Sequence, residues 1–95
     1  DAAAMQKLMD RFHTQMDKTL DAIKVGAGDV PLATLAALCH EGAGAAAVTG
    51  AKRLHGHLAR MEAACRANDR AAVLSDQAKL NELWQATWTA MTQRH

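Results

Sequence analysis

The sequence predicts an all-α protein, an antiparallel up-and-down four-helix bundle, on three observations. Apolar residues recur at steps of three and four through four separate stretches, the period of a helix with one buried face. Apolar residues make up 49% of the chain, yet the aromatics are only two tryptophans and one phenylalanine. Alanine carries much of that total, which suits close helix packing and leaves no β-branched or aromatic run for a strand. Finally, the stretches are divided by short breakers, "GAGD", "VTG" and "AND", and short links make consecutive helices antiparallel neighbours. The 95 residues hold one domain, 1–95, with a single core.

The first helix is expected over about 3–25, with Met5, Leu8, Met9, Phe12, Met16, Leu20 and Ile23 as its buried stripe. Gly26 and Gly28 then offer left-handed conformations for a helix stop, Asp29 a cap, and Pro31 a first-turn residue for the second helix, 30–47. That helix turns Leu32, Leu35, Cys39, Ala43 and Ala46 inward. The third, 51–67, buries Leu54, Leu58, Met61 and Cys65. The fourth, 70–91, carries Val73, Leu80, Leu83, Trp84, Thr87, Trp88 and Met91 inward, with Gln77 interrupting the stripe.

Composition excludes several function classes. Net charge is +1 with acids and bases interspersed, so the basic field of a nucleic-acid binder is missing. No apolar run reaches the roughly 20 residues of a bilayer span. The two cysteines, Cys39 and Cys65, form no CxxC pair, and no secretory leader is visible, which points to a reducing, cytoplasmic setting. The chain begins "DAAAMQ" without an initiator methionine, which points to a longer parent protein.

His40 is the residue that stands out. Its helix neighbours at three and four residues are Ala36, Ala37, Ala43 and Gly44, none able to cover an imidazole. It lies about 100° round the helix from Cys39, at the margin of the buried stripe. The backbone is therefore fixed while the ring faces outward. Gly44 costs about 1 kcal/mol of helix propensity relative to alanine, a cost that makes sense where another macromolecule must come close.

The stretch "HEGAGAAAVTGAKRLHGHLARME" resembles the signature of the histidine-containing phosphotransfer (HPt) domains of two-component phosphorelays. In that signature the phospho-accepting histidine is followed by a glycine four residues on, a small residue, then a Gly-Ala pair and a leucine. His40, Gly44, Ala45, Gly50, Ala51 and Leu54 stand in those places, with Met61 and Glu62 further along. Phe12 on the first helix and the "GD" of Gly28 and Asp29 are similar to family features as well. The resemblance covers most of the chain and implies a four-helix bundle.

It also implies that His40 is the catalytic phospho-acceptor, taking a phosphoryl group from the aspartyl phosphate of a receiver domain and passing it to a response-regulator aspartate. The partners implied are the receiver domains of a hybrid sensor kinase and of a response regulator. Magnesium is expected on the receiver, so no cofactor is expected here. Family members occur free or as the cytoplasmic C-terminal module of membrane-bound sensor kinases. The isolated domain is expected to be monomeric, not membrane-embedded, and not bound to nucleic acid. Docking is expected on helix 2 around Ala33, Ala36, Ala37, Glu41 and Gly44. The family's usual lysine three residues after the histidine is replaced here by Ala43. Arg53 or Arg60 on the third helix is expected to supply the missing positive charge.

Other motifs carry less. His55 and His57 stand two apart, about 200° round a helix, and cannot share a metal ion there. They read as solvated, as do Asp17, Asp21, Arg66 and Arg70, while Trp84 and Trp88 read as core packing. No phosphate-binding glycine loop, HExxH or placeable Ser/His/Asp set is present, as suits a domain lending one nucleophile. The alternative reading is a non-catalytic helical module that binds a receiver or kinase domain without carrying phosphate.

Overall fold

The computed structural model describes residues 1–93 and contains four helices: α1 Ala2–Gly26, α2 Leu32–Thr49, α3 Lys52–Arg66 and α4 Arg70–Thr92. Each packs against its chain neighbour, and α1 also packs on α4, which closes an all-α four-helix bundle of 44 × 19 × 18 Å.

The helix ends follow from local chemistry. Asp1 caps α1 by accepting from the Ala4 amide at 2.7 Å, and Asp69 caps α4 by accepting from the Ala72 amide at 3.1 Å. Val48 and Thr49 extend α2 two residues past the expected break, the Thr49 hydroxyl bonding back to the Ala45 and Ala46 carbonyls at 3.2 and 3.1 Å. Gly50 then stops the helix at φ 81°, and the Ala51 amide reaches the Ala46 carbonyl at 2.9 Å. Asn68 takes the left-handed turn between α3 and α4, φ 60°, which asparagine tolerates better than most residues.

The first interhelix turn departs from expectation. Gly26 is the last residue of α1 and Gly28 has no positive φ. Gly26 is needed for proximity instead, because a Cβ there would stand 2.7 Å from Val30 Cγ2. Pro31 occupies the N-cap of α2 itself, and Asp29 does not cap it. Arg70, expected to be solvated, reaches from α4 to clamp this turn, donating to the Ala27 and Val30 carbonyls at 2.8 and 2.9 Å.

The core joins Met16, Leu20 and Ile23 of α1 to Leu35, Cys39 and Ala46 of α2, Leu54, Leu58 and Met61 of α3, and Val73, Leu80 and Trp84 of α4. Met5 and Leu8 lie outside it, each 60% exposed. At 1.5 Å per residue α1 is about 37 Å long and α2 about 27 Å, so the start of α1 outreaches the helix it pairs with. Leu32–Thr49 is long and apolar enough by length and composition to cross a membrane, contrary to the sequence expectation. In the bundle it is a packed helix, with Leu35, Cys39 and Ala46 fully buried.

Asp17 and His57, both read as solvated, prove structural. Asp17 Oδ1 accepts the indole N–H of Trp84 at 2.6 Å, and Trp84 is 2% exposed, as expected of core packing. His57, 8% exposed, donates from Nε2 to the Asp76 carbonyl at 2.8 Å and accepts from the Arg60 guanidinium at 3.0 Å.

Candidate functional site

His40 sits midway along α2, directly after Cys39, which is wholly buried. The next residue in the helix is rotated by about 100°, so the backbone of His40 is anchored by the core while its side chain is 75% exposed. The outward face of α2 around it consists of Ala33, Ala37, Glu41 and Gly44, all exposed. Among the described residues nothing lies within 4 Å of where a Gly44 Cβ would be, apart from its own helix backbone and chain neighbours. Ala36, expected on this face, is 1% exposed and belongs to the core, as does Ala43 at 5%, which the apolar stripe places inward. Ala36 lies three residues before Cys39 and Ala43 four after it, so both share the inward side of the helix with Cys39. Gln15 of α1 donates to Glu41 at 3.4 Å beside His40.

The imidazole is held from α3. Nδ1 of His40 lies 3.1 Å from Oε1 of Glu62. The other carboxylate oxygen of Glu62 accepts from Nε and Nη2 of Arg66 at 2.9 and 2.8 Å. The Arg66 hydrogen bonds hold the Glu62 carboxyl below its ordinary value, with His40 adding to the effect against a smaller opposing push from burial. An ionised carboxylate only accepts, so in the neutral imidazole Nδ1 carries the proton and donates. The lone pair is then on Nε2, the ring nitrogen not engaged by Glu62, which has no hydrogen bond among the described residues.

The thiol behind His40 does not compete as a nucleophile. Burial, reinforced by the neighbouring Cys65, pushes the Cys39 thiol up to about 12, so it stays protonated; burial raises Cys65 as well. His55 donates from Nδ1 to the Ala43 carbonyl at 2.9 Å, bracing the α2–α3 pair. Among the described residues no group of three or more His, Cys, Asp or Glu side chains could hold a metal ion.

Arg53 and Arg60 lie elsewhere. Arg60 reaches Asp76 of α4 at 3.5 Å and contacts His57, while Arg53 lines the seam between α3 and α4. Nine residues separate Arg53 from Glu62, which is about 180° round a helix. The cation in the His40 cluster is Arg66, reached through Glu62. A signal for the His40–Glu62 contact was present in the sequence. Gly50 marks the turn of an antiparallel hairpin, and His40 and Glu62 stand at nearly equal distances on either side of it.

Comparison with family models, with curated proteins and with solved structures finds no match, and the functional reading therefore rests on the residues around His40.

Proposed function

We propose that the protein is an HPt-type phosphorelay intermediate, with His40 as its phospho-acceptor. The observation that carries this reading is the exposed imidazole whose Nδ1 meets Glu62 at 3.1 Å, leaving Nε2 open to a partner. In the proposed step Nε2 attacks the phosphorus of a receiver aspartyl phosphate. The N–P bond forms as the bond from phosphorus to the aspartate oxygen breaks, and the aspartate leaves as a carboxylate. Positive charge that develops on the ring is shared through the Nδ1 proton with the Glu62 carboxylate. The reverse step, with the aspartate of a second receiver as nucleophile, passes the group on. Phosphoryl transfer is mostly positioning and charge neutralisation, and magnesium chemistry belongs to the receiver in this reading.

The exposed small-residue face at Ala33, Ala37 and Gly44, edged by Glu41, supports docking of a folded domain against α2, since small side chains let a partner backbone approach closely. The same reading puts the domain in the cytoplasm, free or attached to a sensor kinase, and monomeric when isolated. The test is to mix the protein with a phosphorylated receiver and look for acid-labile, alkali-stable phosphate on the bundle. Binding without such phosphate would support the non-catalytic docking module instead.

A further inference from the structure

The seam between α3 and α4 has a chemistry of its own. Two hollows of about 510 and 330 Å³ lie along it and share Arg53 and Ala86, so they form one continuous groove. Its floor is apolar and low: Ala86 and Ala90 stand one turn apart on α4, with Leu83 and Met91 beside them. Small residues at one-turn spacing let a further helix approach closely. From Lys79 to Met91 the groove runs twelve positions along α4, about 18 Å, the length of roughly three helical turns.

Its rim is basic. Lys52, Arg53 and Lys79 are exposed and form no ion pair among the described residues. The first turn of α3 holds no acidic residue, and its N-cap, Ala51, provides no side-chain hydrogen bond. Of the carboxylates nearby, Asp76 is taken up by Arg60, which leaves Glu82 against three cations that have no ion pair among the described residues. The groove therefore favours negative charge above an apolar floor. Nucleic acid fits less well, because among the described residues the one aromatic ring lining the groove is the imidazole of His57, which is buried and hydrogen-bonded to the Asp76 carbonyl and Arg60 and so offers no open face for base stacking, and the net charge of the chain is only +1.

We infer that the α3–α4 seam is a second docking surface, which receives an acidic amphipathic helix of about three turns from a partner protein, its apolar side on Ala86 and Ala90 and its carboxylates on Lys52, Arg53 and Lys79. Because Arg53 and Glu62 lie on opposite sides of α3, this surface is usable while His40 is engaged. The inference does not depend on the phosphotransfer reading.

The test uses the full chain and a synthetic peptide of about 14 residues, long enough for the groove, with leucines at one-turn spacing and glutamates flanking them. A second peptide has glutamine in place of every glutamate. Amide NMR shifts are expected at Arg53, Lys79, Ala86 and Ala90. Binding should weaken about tenfold for the glutamine peptide, and similarly for the exposed-site variant Arg53→Glu/Lys79→Glu, in line with the loss of two or three exposed charge pairs. Unchanged circular dichroism and Tm verify that the variant folds. The inference is overturned by an absence of shifts at millimolar peptide, by equal binding of the two peptides, or by shifts centred on the His40 face. Reproduction of the shifts by inorganic phosphate alone, or tighter binding of single-stranded DNA at the same residues, would also overturn it.

Discussion

His40 on α2 and Glu62 on α3 meet side by side, Nδ1 to Oε1 at 3.1 Å, and Arg66 holds the far oxygen of the same carboxylate with two hydrogen bonds. Glu62 thus links the exposed imidazole to a fixed cation. The arrangement selects the imidazole tautomer with Nε2 free and restricts ring rotation, without enclosing the ring.

Glu62→Gln should slow phosphate acceptance by about tenfold, the order of effect seen when a carboxylate orienting a functional histidine is lost. Helix content and Tm should stay the same. Nitrogen chemical shifts of His40 report the tautomer directly, and the variant should show an increased share of protonated Nε2. An unchanged tautomer ratio with unchanged rate would reduce Glu62 to a surface contact.

The pH dependence follows from Arg66. It keeps the Glu62 carboxyl below the ordinary 4.5, and a carboxyl depressed in the folded state contributes stability that is complete above 4.5 and is lost as pH falls through the lower folded value. Arg66→Ala should therefore move the titration of Glu62 upward, observable by carboxyl NMR, and bring the loss of the His40–Glu62 contact to higher pH. A titration identical to wild type would contradict the cause assigned to the shift.

Gly42 and Gly44 should respond differently to alanine. Gly44 faces open space, whereas a Cβ on Gly42 would stand 3.1 Å from Leu58 Cδ1 and 3.5 Å from Thr19 Cγ2. Gly44→Ala should gain about 1 kcal/mol from helix propensity, and Gly42→Ala should be less stable than Gly44→Ala because Leu58 must shift. Gly44→Leu should fold as well yet transfer phosphate more slowly, since its side chain would rise beside the imidazole. Thermal melts and transfer rates measured on the three variants check the set.

Asp17→Ala should leave the indole N–H of Trp84, 2% exposed, without the acceptor it now has at 2.6 Å. A buried donor without a partner costs about 1–3 kcal/mol. Asp17→Asn keeps an acceptor and should cost less. Denaturant unfolding followed by tryptophan fluorescence separates the two.

The fold was legible because periodicity determines which face each helix buries. The ends of α1 and α4 fall within one residue of expectation, and those of α2 within two. The margin position of His40 followed from its place beside Cys39. What could not be read was the rotation of α3 about its own axis. Lys52–Arg66 presents basic residues both toward α4 and toward α2, so Arg53 and Arg60 were equally plausible neighbours for His40 until packing directed Arg60 to Asp76. The Asp17–Trp84 bond joins residues 67 apart, and such a contact has no local signature. Met5 and Leu8 continue the apolar stripe of α1, but periodicity carries no information on where the partner helix stops.

The central claim is tested most directly by exposing wild type and His40→Gln to the same phosphorylated receiver and mapping the modified residue by mass spectrometry under alkaline conditions. Phosphate should appear on His40 of the wild type and be absent from the variant, with helicity and Tm nearly unchanged because the side chain is exposed. Phosphate on His13, His55 or His57, or undiminished acceptance by His40→Gln, would contradict the account.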